Sequence, residues 1–140
     1  MKKSLRNLLA ITFSLSILLS ACSKAPNKIL PKKDGLWNAN YTIINTVGAA
    51  SSTQTGALSM TFKDDGTGTV NDGTVSTAFT WSYSKDNKTL TFTETGATTA
   101  SIYTVEEMKS KSEKWTRNYT ITLSGITYVT DETINLTKVD

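Results

Sequence analysis

The sequence contains no histidine, one cysteine and only two prolines. The absence of histidine excludes Ser-His-Asp triads and histidine-ligated metal sites. The lone cysteine, Cys22, cannot form a disulfide within the chain, and no other thiol is present to act as a nucleophile or metal ligand. The carboxylates fall mostly in turns and at strand ends, away from the apolar faces on which burial shifts a pKa. We therefore expect no metal site, no cofactor and no enzyme activity.

The sequence also has no apolar run long enough for a membrane-spanning helix, which needs about 20 residues. Its main hydrophobic stretch, residues 8–19, is shorter and is interrupted by three hydroxyl residues. It follows a basic start with Lys2, Lys3 and Arg6. This layout is typical of a secretory signal peptide, and we assign residues 1–21 to it.

Cys22 directly follows the small residues Ser20 and Ala21. The tetrad Leu-Ser-Ala-Cys at residues 19–22 resembles the lipobox of bacterial lipoproteins, whose cysteine receives a diacylglycerol and usually a further acyl chain. Two or more chains give stable membrane attachment, whereas a single chain binds only marginally. The alternative is an ordinary signal-peptidase site with an unmodified cysteine that lies beside it by chance.

The residue after the cysteine, Ser23, resembles the sorting position of enterobacterial lipoproteins, where a residue other than Asp permits transfer to the outer membrane. The resemblance implies a protein of the cell envelope, lipid-anchored in the outer membrane on its periplasmic or its outer face. The membrane, reached through this anchor, is thus the first expected partner.

The formal net charge of +3 resides in the export signal. Three of the fifteen basic residues precede Cys22 and all twelve acidic residues follow it, so the remaining chain carries twelve of each sign. A balanced charge does not indicate nucleic acid as a partner. Residues 22–34 hold both prolines and four lysines, and we assign them to the lipidated cysteine and a flexible basic tether. Its lysines either face anionic head groups or are simply solvated.

From residue 35 onward, threonine, β-branched and aromatic residues dominate and helical periodicity is absent. Apolar side chains alternate with polar ones, which predicts strands with one buried face. Short turn sequences separate these stretches: Asp65-Gly66, Asp72-Gly73, Asp86-Asn87, Gly96 and Gly125. The alternating apolar positions include Trp37, Tyr41, Ile43, Leu58, Met60, Phe62, Phe79, Trp81, Tyr83, Leu90, Phe92, Tyr103, Val105, Tyr119, Ile121, Leu123, Ile126, Tyr128, Ile134 and Leu136.

With residues 67–71 counted as a short strand, the pattern gives eight strands in an antiparallel meander. No helix is available to cover the apolar face, and eight strands close into a barrel that side chains or one small ligand can fill. We therefore predict an all-β, eight-stranded antiparallel up-and-down barrel over residues 35–140, with a two-sheet β-sandwich as the alternative. Two stretches lack alternation. Residues 46–56 are expected to form a long loop, either a flap over one barrel mouth or a flexible surface loop. Residues 106–114 are expected to form either a helical turn or a solvated bend.

The first predicted strand opens with Gly35-Leu36-Trp37, which resembles the Gly-x-Trp opening of lipocalins. The order of lipobox, basic tether, Gly-x-Trp and the segments TFKDDGTGTV, AFTWSYS, KTLTFT and IYTV resembles the small lipocalin-like lipoproteins of Bacteroidetes. The resemblance implies a lipocalin-like barrel in which Trp37 plugs one end. The chain departs from lipocalins in having Thr130-Asp131-Glu132 in place of Thr-Asp-Tyr.

Arg117, the only arginine after Cys22, has three interpretations. It stacks on Trp37 as a cation–π pair, typically worth ~0.5–2 kcal/mol, or it is a cation in a pocket, or it is a rim residue. By alternation it shares a face with Trp115 and Tyr119.

Aromatic side chains on the inward faces are the features with most functional potential. They either line a pocket for a small hydrophobic ligand or fill the barrel as its core. The first case predicts a non-catalytic ligand-binding module, and the second a protein-binding envelope module such as an inhibitor or scaffold. The candidate pocket residues are Trp37, Tyr41, Phe62, Phe79, Trp81, Tyr83, Tyr103, Arg117 and Tyr119.

The lipid anchor predicts the behaviour of a Cys22→Ala variant. Without the thiol no diacylglycerol can be attached, so the variant should leave the membrane fraction. Fractionation of cells that express either form measures the effect. A variant that stays with the membranes to the same extent as the wild type would refute lipidation at this residue.

Overall fold

The computed structural model describes residues 28–140, which form one closed barrel of eight antiparallel strands in up-and-down order. The predicted all-β barrel is confirmed, and the sandwich alternative is wrong because all strands belong to a single closed sheet. The predicted export signal and Cys22 lie outside the described residues. The strands are β1 (Leu36–Val47), β2 (Ala50–Phe62), β3 (Thr67–Asn71), β4 (Ser76–Tyr83), β5 (Thr89–Glu94), β6 (Ser101–Met108), β7 (Ser112–Leu123) and β8 (Ile126–Lys138).

The barrel core consists largely of side chains that alternation placed inward. Phe62 is its centre: its ring centroid lies 5.3 Å from that of Phe79, 5.6 Å from Trp81 and 6.0 Å from Trp115, in edge-to-face contacts. Each large apolar side chain buried in this way contributes about 1.5–3 kcal/mol to stability. The threonines and serines between them face outward, so the alternation follows directly from the closed sheet.

Strand length divides the barrel into two walls. The long strands β1, β2, β7 and β8 pair through twelve residue pairs for β1–β2, twelve for β7–β8 and ten for β1–β8. The short strands β3 to β6 pair through only four or five residue pairs at each contact. The hairpins β1–β2 and β7–β8 therefore project beyond the short strands at one end, which we call the open end.

At the opposite, closed end, the chain that leads into β1 packs onto the barrel. Leu30 is fully buried, and its carbonyl accepts a hydrogen bond of 2.8 Å from Nε1 of Trp37. The Lys138 ammonium donates to the carbonyl of Lys32 and lies 4.9 Å from the centroid of the Trp37 ring. Residues 28–35, assigned from the sequence to the tether and the strand entry, thus cover this end of the barrel.

The turn residues identified in the sequence lie in the connections between strands. The carboxylate of Asp72, for example, accepts hydrogen bonds from the backbone N–H groups of Val75 and Thr74 and from the Thr74 hydroxyl. These bonds lower the pKa of Asp72 to about 2. Such carboxylates stabilise turns, which accounts for their position outside the barrel interior.

Of the two stretches without alternation, the first was predicted wrongly and the second only in part correctly. Residues 46–56 form no long loop: β1 and β2 pair up to Val47 and Ala50 around a two-residue turn at residues 48–49. Both faces of this hairpin tip are largely exposed, so its side chains have no reason to alternate. Residues 106–114 form no helical turn, because β6 and β7 continue to Met108 and from Ser112, with a bulge between Val105 and Glu107. The alternative, a solvated bend, holds for the exposed residues 109–111 between the two strands.

Within residues 28–140 no helix has the length and hydropathy to cross a membrane. The helical structure that precedes β1 is a three-residue 3-10 turn, Lys33–Gly35. Within the described residues, strand pairing runs from β1 round to β8 and back to β1, so the sheet closes around an apolar core.

The position of Gly35 in this turn predicts that adding a single methyl group at its Cα lowers the stability of the fold strongly. Its φ is +62°, and a Cβ there would lie 1.9 Å from the carbonyl oxygen of Phe62. Gly48, with φ +57°, has no atom within 4 Å of such a Cβ. We expect Gly48→Ala to lower the free energy of unfolding by ~1–2 kcal/mol through the left-handed conformation alone. Gly35→Ala should cost about 1–3 kcal/mol more through overpacking.

Urea denaturation of both variants measures this difference. Gly48→Ala is the matched control, because the two glycines share their backbone conformation and differ in the space around them. Equal losses of stability in the two variants would contradict the close approach of Gly35 to Phe62.

Candidate functional site

The residues predicted to line a pocket occupy different parts of the barrel. Trp37, Phe62, Phe79 and Trp81 are at most 7% exposed and belong to the apolar core. Tyr41, Tyr83 and Tyr119 are half-buried. Tyr103 and Arg117 line cavities on the side of the open end. The structure therefore does not bring the nine predicted residues together in one pocket.

Two adjoining cavities occupy the barrel interior and its mouth. The inner one has a volume of about 90 Å³ and the outer one about 230 Å³. Apolar side chains, among them Met60, Trp115 and Ile134, line the inner cavity, whereas the β5–β6 connection borders the outer one. The residues common to both linings are Phe92, Glu94, Tyr103 and Glu132.

An ion pair marks the boundary between the two cavities. Nε and Nη2 of Arg117 donate to Oε2 of Glu132 at 3.0 and 2.6 Å, and Nη1 donates to the Ser101 hydroxyl at 2.5 Å. The guanidinium carbon lies 4.9 Å from the ring centroid of Tyr103 and 4.3 Å from that of Tyr119. The group is thus fixed by a two-donor ion pair, a hydroxyl and two aromatic rings.

Tyr103 completes this network from the neighbouring wall. Its hydroxyl donates to Oε1 of Glu132 at 3.2 Å. Burial and then the charge of Glu132 raise the pKa of Tyr103, although Arg117 opposes this rise. The hydroxyl therefore remains a hydrogen-bond donor at neutral pH.

The structure decides among the interpretations of Arg117. The proposed stacking on Trp37 is wrong, because the cation over that ring belongs to Lys138. Arg117 shares the inward face of β7 with Trp115 and Tyr119, as alternation predicted, and lines the outer cavity. Its side chain is 22% exposed. It is therefore a cation within the pocket rather than on the outer surface.

A second buried carboxylate, Glu113, was not recognised in the sequence. It is 1% exposed, and its Oε2 accepts hydrogen bonds from the Tyr83 hydroxyl at 2.5 Å and from Trp115 Nε1 at 2.8 Å. Its Oε1 has no partner within residues 28–140. Burial raises the pKa of Glu113 to about 7, although the two hydrogen bonds lower it.

The groups around Glu113 do not form a catalytic arrangement. Burial, followed by the charge of Glu113, raises the pKa of Tyr83, so this hydroxyl stays protonated. Neither Glu113 nor Tyr83 lines the two cavities. No group of three or more potential metal ligands occurs among the described residues.

The sequence did contain a signal for the Arg117–Glu132 pair. Ser124 and Gly125 form a two-residue turn, with Leu123 opposite Ile126. Counting six residues outward from this pair along each strand places Arg117 opposite Glu132, as the observed register shows. No comparable signal identifies Phe92 or Glu94 as cavity residues, because their place depends on the curvature of the closed sheet.

The inward face of β7 and β8 continues past Arg117 as an apolar surface. We call this surface, formed by Tyr119, Ile121, Leu123, Ile126 and Tyr128, the lip. Ile121 is 39%, Leu123 59% and Ile126 47% exposed. The β7–β8 hairpin projects beyond the short strands β3 to β6, so these strands do not cover the lip at this height.

No protein-family model matches the chain, and no curated protein matches it significantly. The closed eight-stranded barrel is the fold that the lipocalin resemblance implied. The resemblance itself stays a prediction based on the residues quoted for it.

Glu113 predicts a pH dependence of stability. Its pKa is about 7 in the folded chain against an ordinary value of 4.5. Between these values the folded state keeps a proton that the unfolded state releases, so stability falls as the pH rises through this window. The loss should approach ~3 kcal/mol above pH 7, at 1.36 kcal/mol per unit of pKa shift.

Urea denaturation at several pH values between these limits measures the slope. Glu113→Gln should remove most of it, because the amide does not titrate. Glu106→Gln is the matched control, since Glu106 is exposed. The same pH slope in Glu113→Gln and in the wild type would show that Glu113 ionises normally in the folded protein.

Proposed function

We propose that the protein is a lipoprotein anchored in the outer membrane of a cell envelope, whose barrel binds a small hydrophobic ligand without catalysis. One observation carries the proposal: the barrel is filled at its closed end but hollow around Tyr103, Arg117 and Glu132. A mostly apolar lining with a few fixed polar groups is typical of small-molecule sites.

The size and shape of the cavities favour a slender ligand. The inner and outer cavities, about 90 and 230 Å³, are each below the ~300–1,000 Å³ of ordinary ligand pockets. The inner cavity is narrow and apolar, and the lip extends the apolar surface beyond the outer one. A single alkyl chain, inserted past Tyr103 and covered by the lip, fits this arrangement.

The anchor position agrees with entry from the open end. Cys22 precedes Lys28 by six residues, which span at most ~22 Å. The described chain begins at the closed end, where Leu30 is buried. A lipid on Cys22 would therefore hold the closed end toward the membrane and leave the open end accessible from the aqueous side.

A second function, binding of a protein partner in the envelope, is favoured by the lip itself. Three large apolar side chains, Ile121, Leu123 and Ile126, are exposed next to one another on one hairpin. Contiguous apolar surface of this kind is common at protein interfaces. In this case the cavities would remain empty, and Leu123→Ser with Ile126→Ser would abolish partner binding in a pull-down from envelope extract.

Filling the inner cavity tests the ligand-binding function. Val70, on β3, lines this cavity, and Val70→Phe should occupy its volume. The chain from Ser23 to Asp140 contains the closed barrel and leaves out the lipidated cysteine of the proposal, so it is purified without detergent for this test. Native mass spectrometry with an envelope lipid extract should detect a bound small molecule on the wild type and at least tenfold less on Val70→Phe, equivalent to ~1.4 kcal/mol.

Ile102→Phe is the matched control, because Ile102 is 59% exposed and lines neither cavity. This variant should bind as the wild type does. Tryptophan fluorescence reports the same event, since Trp115 lines the inner cavity. A wild-type chain that carries no small molecule and whose fluorescence does not change would overturn ligand binding and favour the protein partner.

A further inference from the structure

The charges around the two cavities are unequal. Arg117 is the only basic residue among those that line either cavity, whereas Glu94 and Glu132 are acidic. Glu132 is paired with Arg117, and its other oxygen accepts the bond from Tyr103. The charge of Arg117 is therefore neutralised by a residue of the same site.

Arg117 offers little to a bound carboxylate. All three of its nitrogens donate to Glu132 or Ser101, and the rings of Tyr103 and Tyr119 lie beside the guanidinium. A ligand carboxylate that displaced Glu132 would leave that side chain, which is 9% exposed, without its cation, and breaking a buried ion pair in this way is strongly unfavourable. A carboxylate bound to the second N–H groups of Nη1 and Nη2 would meet a cation whose charge Glu132 already balances.

Glu94 is the charged residue of the site whose carboxylate remains available to a ligand. It lies at the end of β5 on the inward face, two residues after Phe92, and borders both cavities. Within the described chain its carboxylate makes no salt bridge and accepts no side-chain hydrogen bond. Phe92 and Tyr103 border the same cavities, and aromatic rings attract organic cations.

We propose that the open end selects amphiphiles with a cationic head group, an alkyl amine or alkyl ammonium, over fatty acids. The head group pairs with Glu94 at the mouth, and the alkyl chain enters the inner cavity or lies on the lip. This selectivity rests on the proposed ligand-binding function and adds the chemical class of the ligand. The ion pair of Arg117 and Glu132, at the boundary of the two cavities, has no net charge and therefore does not favour a competing carboxylate.

The test compares three probes that share one alkyl chain: dodecylammonium, dodecanoate and dodecyl maltoside. Their affinities for the chain from Ser23 to Asp140 are measured by tryptophan fluorescence at neutral pH, below the micellar concentration of each probe. Dodecylammonium should bind about fivefold more tightly than dodecyl maltoside, the upper range of an exposed ion pair, and dodecanoate more weakly than both. Added salt should reduce the differences.

Glu94→Gln should abolish the preference for dodecylammonium over dodecyl maltoside, so the ratio of the two affinities is the quantity compared. Glu106→Gln removes the same charge from an exposed position that lines neither cavity, and it should keep the preference. This control separates a local pairing from the overall charge of the domain.

The outcomes distinguish the two proposals. If all three probes bind with equal affinity, or if Glu94→Gln keeps the preference, the cationic selectivity is overturned while ligand binding stands. If dodecanoate binds most tightly, Arg117 is available after all and the selectivity is reversed. If no probe binds, the ligand-binding function itself fails and the selectivity with it.

Discussion

The closure of β1 against β8 is the interaction on which the rest of the structure depends. Ten residue pairs, from Trp37 opposite Lys138 to Thr46 opposite Val129, join the first strand to the last. Without them the sheet would have two free edges and its apolar face would lie open to water. Closure also places Lys138 over the ring of Trp37 and beside the carbonyl of Lys32, so both ends of the domain meet at one end of the barrel.

Closure by strands of unequal length produces one filled and one open end. Toward the closed end, large side chains such as Trp37, Phe62 and Trp81 are buried and fill the barrel. At the open end, β7 and β8 continue where β3 to β6 have already ended, so their inward faces are not covered by these short strands. The same strands that complete the core therefore supply the apolar lip without any change in their pattern.

Most of the fold could be predicted from the sequence because alternation reports one-sided burial. It located the inward residues of β1, β4 and β5 correctly, from Trp37 to Phe92. It failed at residues 50–57, where both faces are largely exposed and the side chains have no reason to alternate. It also failed at the start of β7, because Glu113 occupies an inward position and a charged residue is ordinarily read as exposed.

The site was less predictable than the fold, for physical reasons. Whether a barrel is hollow depends on how the side chains of all eight strands fill one volume, which no local pattern records. Trp37 and Trp81 fill their part of it completely, whereas the space next to Tyr103 stays partly empty. The pairing of Arg117 with Glu132 follows from the register of one hairpin. It could therefore be predicted from the sequence if the turn at Gly125 was assigned two residues.

The polar network at Arg117 is best understood as a boundary rather than as a source of stability. A buried ion pair contributes little net free energy, because desolvation of both charges offsets their attraction. Its directional hydrogen bonds nevertheless hold Tyr103 and Glu132 in fixed positions between the core and the mouth. An apolar filling would have extended the core outward and closed the cavities. The network instead holds fixed polar groups beneath an open mouth, as the proposed ligand binding would require of a preformed site.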